Sequence, residues 1–155
     1  MTSEFTQNKL AKSVVKLGLN TIQRHIFICA DATKPECCDK AASIEVWDYL
    51  KRRLRELKLD QPTIERPSCI FRTKANCLRV CHSGPILVVY PDGVWYHSVT
   101  IEAIDRILTE HILGNQPVQD YLFLTHPLAK WKKSAGADSI PIFSLNEKSP
   151  LMRTP

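Results

Sequence analysis

Several common features are missing from this 155-residue sequence. No stretch approaches the roughly 20 consecutive apolar residues of a membrane-spanning helix, so we expect no membrane insertion. The first 20 residues lack the continuous apolar segment of a secretory signal, because Lys9, Lys12 and Lys16 interrupt their apolar residues. We therefore expect a cytoplasmic protein in a reducing compartment, where structural disulfides are rare.

The central part of the chain also lacks an excess of charge of either sign. Residues 21–125 contain 13 Lys and Arg against 13 Asp and Glu, so the net charge of +5 resides in residues 1–20 (+2) and 126–155 (+3). A folded domain that reads nucleic acid carries a basic face within the domain itself. Nucleic acid is therefore not an expected partner, and the basic ends are expected to affect solubility or weak association.

Composition changes along the chain predict three segments: an N-terminal arm (1–20), one α/β domain (21–125) and a C-terminal tail (126–155). The arm has only a weak helical pattern of apolar residues. The tail is expected to be disordered, because its prolines and polar residues leave few periodic apolar positions that a core could bury.

The domain is predicted to begin with a strand–helix–strand unit. A short apolar run ends at Cys29, and apolar residues at spacings of three and four predict a helix from Asp39 to about Asp60. A second strand is expected within residues 63–72. It is followed by a predicted loop over residues 73–85 that contains two cysteines.

The second half of the domain is predicted to be a hairpin followed by a helix. Residues 86–90 form an apolar strand, and Pro91-Asp92-Gly93 is a turn in which proline presets one φ angle and glycine accepts a positive one. Residues 94–96 return as the second arm, and a helix is expected from an N-cap at Thr100 to a stop at Gly114. The order βαβ then ββα indicates a thioredoxin-like α/β fold, with a central mixed β-sheet flanked by helices.

Six cysteines stand out in this otherwise ordinary composition, at positions 29, 37, 38, 69, 77 and 81. In a reducing compartment, this number favours metal binding or thiol chemistry over structural disulfides. In the predicted topology, the loop after the first strand and the loop before the hairpin lie at one edge of the sheet, where ligand sites usually form. Two loops that each carry at least two thiols are therefore expected to converge.

The spacing of these thiols suits an iron–sulfur cluster. A [2Fe–2S] cluster needs two ligands on each iron, and thiolates are the usual donors. The three-residue gap lets Cys77 and Cys81 reach one iron, and the flexible loop between Cys29 and Cys38 permits the same. Cys38 also precedes the predicted helix, whose N-terminal partial positive charge favours a thiolate.

Two other functions use the same residue types. A thiol redox protein on a thioredoxin-like fold usually has a C-x-x-C pair that opens a helix, and this sequence contains none. A structural zinc module uses tetrahedral sites of four cysteines, which these long and short spacings fit poorly. One-electron transfer by a bound cluster, without enzymatic turnover, is therefore the leading hypothesis.

The most specific motif is a block of residues in the second half of the domain. It consists of Cys77-Leu78-Arg79-Val80-Cys81, then Gly84-Pro85, then Val88-Val89-Tyr90-Pro91-Asp92-Gly93-Val94-Trp95-Tyr96. Together with the strand ending at Cys29, this block resembles the thioredoxin-like [2Fe–2S] ferredoxins over residues 24–124. The resemblance implies a one-electron carrier with one [2Fe–2S] cluster, redox partner proteins (a reductase or an electron acceptor), and a family that often pairs as homodimers.

The resemblance also implies the cluster ligands. By position they are Cys29, Cys38, Cys77 and Cys81, whose thiolates would hold the cluster by binding its iron atoms. The fourth of these is either Cys38 or its neighbour Cys37. Cys38 is preferred because the helix that follows it has the family's offset to the segment Glu45-Val46-Trp47.

Residues around the cysteines carry further expectations. Cys69 lies in an apolar context and is expected to be a buried side chain without a ligand role. At least one of Trp95 and Tyr96 is expected to pack in the core. Three basic residues flank the cysteine loop and are either a docking rim for an acidic partner or solvated charges: Arg72, Lys74 and Arg79.

Overall fold

The computed structural model describes the backbone of residues 2–128 and the side chains from residue 8 onward. Its strands are β1 (Ile22–Cys29), β2 (Cys69–Ala75), β3 (Leu87–Tyr90), β4 (Val94–Tyr96) and β5 (Leu122–Thr125). Its helices are α1 (Thr2–Leu17), α2 (Lys40–Glu56) and α3 (Ile101–Arg106), which continues in wider turns over Ile107–Leu113. Single 3₁₀ turns cover Leu19–Thr21 and Gln119–Tyr121.

The predicted mixed sheet and its flanking helices are confirmed. The strands lie in the order β2-β1-β3-β4-β5, with β1 and β2 parallel and all other neighbours antiparallel. The helices α2 and α3 each begin with a side-chain cap that accepts a hydrogen bond from an otherwise unpaired backbone N–H group. The carboxylate of Asp39 accepts from the backbone N of Ala42 at 3.0 Å, and the hydroxyl of Thr100 accepts from that of Ala103 at 3.2 Å.

The core lies between one face of the sheet and the helices α2 and α3. Side chains alternate across a strand, so every second residue of β1, β3 and β4 points to this face. Leu50 and Leu54 of α2 and Ile104 of α3 are fully buried against it. The sheet residues of this core are Ile26, Ile28, Ile70, Leu87, Val89, Val94 and Tyr96.

The opposite face of the sheet carries a row of ring side chains, here called the aromatic row. Its members are Phe71, His25, Phe27, Tyr90, Trp95 and Phe123. Neighbouring ring centroids are between 3.9 and 6.5 Å apart. All six rings keep some solvent exposure, and Phe123 is 43 % exposed. The expectation for the hairpin is confirmed, because Tyr96 is fully buried while Trp95 lies in this row.

Strand boundaries differ from the sequence-based expectation in two places. Strand β2 runs to Ala75, although residues 73–85 were expected to form a loop; its parallel register opposite Phe27–Cys29 gives Thr73–Ala75 hydrogen-bond partners. Strand β5 was not predicted at all. It pairs with β4 at the sheet edge, and its exposed residues lack the alternation that marks a half-buried strand.

Two glycines close turns in different ways. Gly93 has a φ of 64°, as the predicted turn requires, and a Cβ there would lie 1.8 Å from the carbonyl oxygen of His126. Gly114 follows the last turn after α3, but its φ is −92°. The left-handed residue is instead Asn115, with a φ of 55°.

A chain of polar side chains, two of them buried and two half-buried, joins β1, the β3–β4 turn and the end of α3. Val118 N donates to Tyr96 Oη at 3.2 Å, and Tyr96 Oη lies 2.8 Å from His111 Nδ1. His111 Nε2 lies 2.9 Å from Asp92 Oδ2, which also accepts from Arg24 Nε at 2.7 Å. Since Tyr96 receives one hydrogen bond, its hydroxyl donates to Nδ1, and neutral His111 donates from Nε2 to the carboxylate.

The two ends of the chain are only partly described. The predicted arm contains the helix α1, and the predicted tail lies outside the described residues from residue 129 onward. Within residues 2–128, no helix has both the length and the apolar character needed to span a membrane.

Candidate metal centre

A cavity of about 370 Å³ lies at the carboxyl end of β1, between the two cysteine-bearing loops. Four of its lining residues are cysteines. The full lining, here called the thiol cavity, is Cys29, Ala32, Thr33, Lys34, Glu36, Cys37, Asn76, Cys77 and Cys81. The expected convergence of the two loops is therefore found in the structure.

One side of the thiol cavity is formed by Cys29 and Cys37, whose sulfur atoms are 3.8 Å apart. Cys29 is the last residue of β1, and its backbone N donates to the carbonyl oxygen of Ile86 at 2.8 Å. The carbonyl oxygen of Cys37 accepts from Gly84 N at 3.0 Å. A Cβ on Gly84 would lie 2.6 Å from the sulfur of Cys37, so this position needs glycine for the loops to approach.

The other side is formed by Cys77 and Cys81, whose sulfur atoms are 4.0 Å apart. Both residues are exposed. Arg79, between them, has a φ of 63°, and its backbone N donates to the sulfur of Cys77 at 3.2 Å. The loop is therefore curled so that both sulfurs point the same way, which the C-x₃-C spacing permits.

Three side chains that the sequence analysis did not single out tie the cysteine loops together: Thr33, Asn76 and Asp31. Thr33 N donates to Asn76 Oδ1 at 2.7 Å, and Asn76 Nδ2 donates to Thr33 Oγ1 at 3.2 Å. Asp31, with a φ of 57°, pairs with Lys74 at 2.6 Å and with Lys40 at 3.0 Å. Only the sheet topology brings these residues together, since more than 40 positions separate Thr33 and Asn76.

The structure places Cys38 beside the thiol cavity but not in its lining. Its sulfur is 3.9 Å from that of Cys37, and both residues are half-buried. Cys38 directly precedes the N-cap Asp39 of α2, as expected. The position of Cys38 as the fourth ligand therefore stays a prediction, and Cys37 is the member of the pair that faces Cys29.

Cys69 lies at the start of β2 and is fully buried, which confirms the burial expected for it. Its thiol donates to the carbonyl oxygen of Gly18 at 3.5 Å. His82, next to Cys81, has its Nδ1 2.5 Å from Ser83 Oγ. Neither residue lines the thiol cavity.

Protonation of the thiols is set by burial and by neighbouring groups. Burial raises the pKa values of Cys29, Cys37 and Cys38 above the ordinary value. Hydrogen bonds with Glu36 and then with Cys77 raise the pKa of Cys81 to about 11. Metal ligands must be deprotonated, so metal binding at this cavity releases protons.

The donor set of the cavity fits a cluster with two ligands on each of two irons. Four sulfurs line one cavity in two pairs, with separations of 3.8 and 4.0 Å within the pairs. Among the described residues, no three His, Cys, Asp or Glu side chains converge as a site for a single metal ion. The backbone N–H group of Arg79 donates to the sulfur of Cys77.

Comparisons with known proteins agree with this arrangement. No family model matches the chain. A relative from Aquifex aeolicus (strain VF5), named "Ferredoxin, 2Fe-2S", is 32 % identical over 101 residues, which are 62 % of this chain and 85 % of the relative. A protein of the same name from Clostridium pasteurianum is 29 % identical over 101 residues, 63 % of this chain and 92 % of that protein.

The fold is also matched by a solved structure. It is that of a thioredoxin-like [2Fe–2S] ferredoxin from Aquifex aeolicus, with a TM-score of 0.54 and 29 % sequence identity. The match covers 67 % of this chain and 93 % of the solved one. The thioredoxin-like fold expected from the order of elements is thereby confirmed.

Proposed function

Because this chain belongs to the thioredoxin-like [2Fe–2S] ferredoxins, we propose that it holds one [2Fe–2S] cluster in the thiol cavity and carries single electrons between redox partner proteins. This proposal is carried by one observation: four cysteine sulfurs surround one cavity in two close pairs. Cys29 lies beside Cys37, and Cys77 lies beside Cys81. When bound, the cluster supplies the one-electron redox chemistry, and no substrate is turned over.

Three of the proposed ligands are Cys29, Cys77 and Cys81, and the fourth comes from the adjacent pair Cys37 and Cys38. The offset to α2 favours Cys38, whereas the sulfur–sulfur distance of 3.8 Å to Cys29 favours Cys37. The five thiols in and beside the cavity therefore exceed by one the four that a cluster needs.

The chain's own groups tune the cluster and hold it in place. The backbone N–H group of Arg79, which donates to Cys77, lowers the negative charge on that thiolate sulfur and so favours the reduced state. The hydrogen bonds between Thr33 and Asn76 keep the two loops at a fixed separation. Electron exchange needs close approach, and the exposed Cys77 and Cys81 provide it.

Metal and sulfide analysis tests the cofactor. Protein purified without oxygen is expected to contain about two iron and two acid-labile sulfide per chain, and to give a one-electron rhombic EPR signal after dithionite reduction. About one zinc per chain without sulfide would contradict electron transfer and indicate a structural zinc site. No bound metal after reconstitution would also contradict electron transfer and would indicate thiol chemistry.

Substitution of single cysteines tests the ligands. Changing Cys29, Cys77 or Cys81 to alanine is expected to abolish the native EPR signal and to lower the bound iron, because each change removes one of the proposed ligands. The matched control is Cys69→Ala, which removes a thiol outside the cavity and is expected to leave iron content unchanged. Separate Cys37→Ala and Cys38→Ala variants identify the fourth ligand by loss of the signal.

Among the three basic residues near the cysteine loop, Arg79 is the one that we propose contacts an acidic partner. Arg72 is half-buried, which lowers its pKa, and Lys74 pairs with Asp31. Arg79 is exposed between Cys77 and Cys81. Oxidation of the reduced protein by the anion ferricyanide is expected to be slower in Arg79→Gln than in wild type at low salt, and equal for a neutral acceptor. Equal rates with ferricyanide would contradict this role.

We also propose that two copies of the chain pair through the aromatic row. Rings in mutual contact that keep solvent exposure form a preferred type of interface. The mass in solution by light scattering is expected to be about twice 17.7 kDa, and Phe123→Asp is expected to give the single-chain mass. Ile64→Asp, a change at a fully exposed residue, is the control. A wild-type monomer would contradict the pairing.

The proposed setting is the reducing cytoplasm. The six cysteines are thiols throughout the structure, and a cluster on cysteine thiolates requires them in that form. Localisation of the tagged chain by cell fractionation is the direct test.

A further inference from the structure

The geometry of the thiol cavity points to a second redox chemistry: in chains without a cluster, Cys29 and Cys37 form a reversible disulfide. This inference depends on the proposed function only in making Cys29 a cluster ligand. It holds whichever of Cys37 and Cys38 is the fourth ligand. The disulfide site and the cluster site then share the sulfur of Cys29, and they share that of Cys37 as well if Cys37 is the fourth ligand.

The two sulfurs are already close and are held by separate parts of the backbone. They lie 3.8 Å apart, so a bond of about 2.05 Å needs each to move by about 1 Å. Cys29 is fixed by the β-sheet, and Cys37 by the hydrogen bond from Gly84. Disulfide formation therefore requires side-chain movement and little rearrangement of either loop.

The neighbouring thiol of Cys38 is a poorer partner, although its sulfur is 3.9 Å from that of Cys37. Consecutive residues across a trans peptide have Cα atoms about 3.8 Å apart. Unstrained disulfides join Cα atoms about 4.4 to 6.8 Å apart. A bond between Cys37 and Cys38 would therefore distort the backbone, whereas one between Cys37 and Cys29 closes a loop of ordinary size.

The oxidant is a small-molecule disulfide, such as glutathione disulfide. Cys37 is half-exposed and Cys29 is only 2 % exposed, so the Cys37 thiolate attacks the oxidant first. This attack forms a mixed disulfide on Cys37 and releases one small thiol. The Cys29 thiolate then attacks the Cys37 sulfur and releases the second small thiol. Two protein thiols thus lose two electrons and two protons, which the oxidant takes up as two thiols.

The consequence is control over cluster loading. A sulfur in a disulfide cannot bind iron, so the oxidised chain accepts no cluster until a dithiol reduces it. Chains that lose the cluster under oxidising conditions are thereby kept in a form that is recovered by reduction, instead of passing to irreversible oxidation states.

The experiment isolates this pair in a Cys77→Ser/Cys81→Ser background, which lacks the other thiol pair. Four cysteines remain, Cys29, Cys37, Cys38 and Cys69. After incubation with glutathione disulfide, the thiol count is expected to fall from four to two and the mass by about 2 Da, with both restored by dithiothreitol. Cleavage after Glu36 separates Cys29 from Cys37, so the two fragments are expected to remain linked until reduction.

Matched variants identify the partner. Adding Cys37→Ser is expected to abolish the linked fragments, and adding Cys38→Ser is expected to preserve them. The opposite pattern would overturn the proposal, as would a stable glutathione adduct without linkage or a disulfide between two chains.

Cluster reconstitution in the wild-type chain separates this proposal from the proposed function. The oxidised chain is expected to bind iron and sulfide only after treatment with dithiothreitol. The fully reduced chain is expected to bind them without this treatment. Failure of the reduced chain to bind iron and sulfide would refute the proposed function. The thiol counts in the Cys77→Ser/Cys81→Ser background would still show whether the disulfide forms. Equal loading of oxidised and reduced chains would overturn the disulfide's control of loading.

Discussion

The two ends of strand β1 are built in opposite ways. At its carboxyl end, five thiols lie in or beside an open cavity, and Cys77 and Cys81 are exposed. Toward its amino end, the buried side chains of Tyr96 and His111 and the half-buried ones of Asp92 and Arg24 are joined to one another by hydrogen bonds. The comparison indicates a rigid frame at one end of the sheet and a reactive, solvent-facing site at the other.

Protonation follows the same division. Burial raises the pKa of Tyr96 to about 12 and lowers that of His111 below 6.5, so the fold keeps both side chains neutral near pH 7. Raised pKa values keep the thiols of Cys29 and Cys37 protonated as well, but a metal ion displaces their protons. The polar chain is thus in its final state once folded, whereas the thiol cavity, under the proposed function, is completed only when a cluster binds.

The largest effect that separates the two ends is expected from Asp92→Asn. This change removes the carboxylate charge that half-buried Arg24 and buried His111 share. Hydrogen bonds to a charged group are worth about 1.5–3 kcal/mol each, so a loss of about 3 kcal/mol of unfolding free energy is expected. Urea denaturation of the cluster-free chain measures it. The control is Asp48→Asn, which breaks an exposed pair with Lys51 and is expected to change the value by less than about 0.5 kcal/mol. Equal losses would remove the distinction between frame and surface.

A smaller loss is expected from Tyr96→Phe. The hydroxyl both accepts from Val118 N and donates to His111, so its removal leaves two buried groups without a partner and costs about 1–3 kcal/mol. The same substitution at Tyr49, whose hydroxyl contacts Asp105 near the surface, is expected to cost less. Urea denaturation compares the two, and an equal cost would show that burial of the polar chain adds nothing.

A pH effect of the same origin is expected at His111. Burial lowers its folded pKa, so the unfolded chain takes up a proton at a higher pH than the folded chain does. The unfolding free energy is then complete above pH 6.5 and falls as the pH drops through 6.5 toward the folded pKa. His25 has a lowered pKa for the same reason and adds to the fall.

Denaturation at about pH 7.5 and pH 5.5 measures the slope. His111→Gln is expected to reduce the slope, and the exposed control His126→Gln is expected to leave it unchanged. A slope that His111→Gln does not alter would mean that the histidine titrates alike in the folded and unfolded chains.

The smallest effect on folding is expected at the thiol end itself. In the reduced, cluster-free chain, Cys77→Ser changes an exposed side chain and is expected to alter the unfolding free energy by less than about 0.5 kcal/mol. The same substitution is expected to abolish cluster binding. A large loss of stability would show that the thiol cavity is part of the frame and would erase the comparison.

Local sequence patterns were sufficient for the elements with strong periodicity or clear caps. The helix starts at Asp39 and Thr100, the turn at Gly93 and the apolar strand β3 were all predicted, because their signals lie within a few consecutive residues. Strand β5 was missed because an exposed edge strand needs no apolar alternation. The extension of β2 was missed because it depends on pairing with β1.

The candidate site was predictable in its residue types and less so in its geometry. The cysteine spacing and the surrounding motif indicated Cys29, Cys77 and Cys81 directly. The orientation of Cys37 toward Cys29, and the contact between Gly84 and Cys37, arise only when the strand β3 lies beside β1. No one-dimensional pattern distinguishes two adjacent cysteines in a loop.

The sequence by itself determined the chemistry of this protein: thiols in number and spacing for a [2Fe–2S] cluster, on a fold marked by its turn and cap residues. Tertiary structure alone decided which thiols face each other and which polar groups are buried together. The physical reason is distance along the chain. Hydrogen bonds between Thr33 and Asn76, or between Arg24 and Asp92, join residues more than 40 positions apart and form only when the sheet assembles.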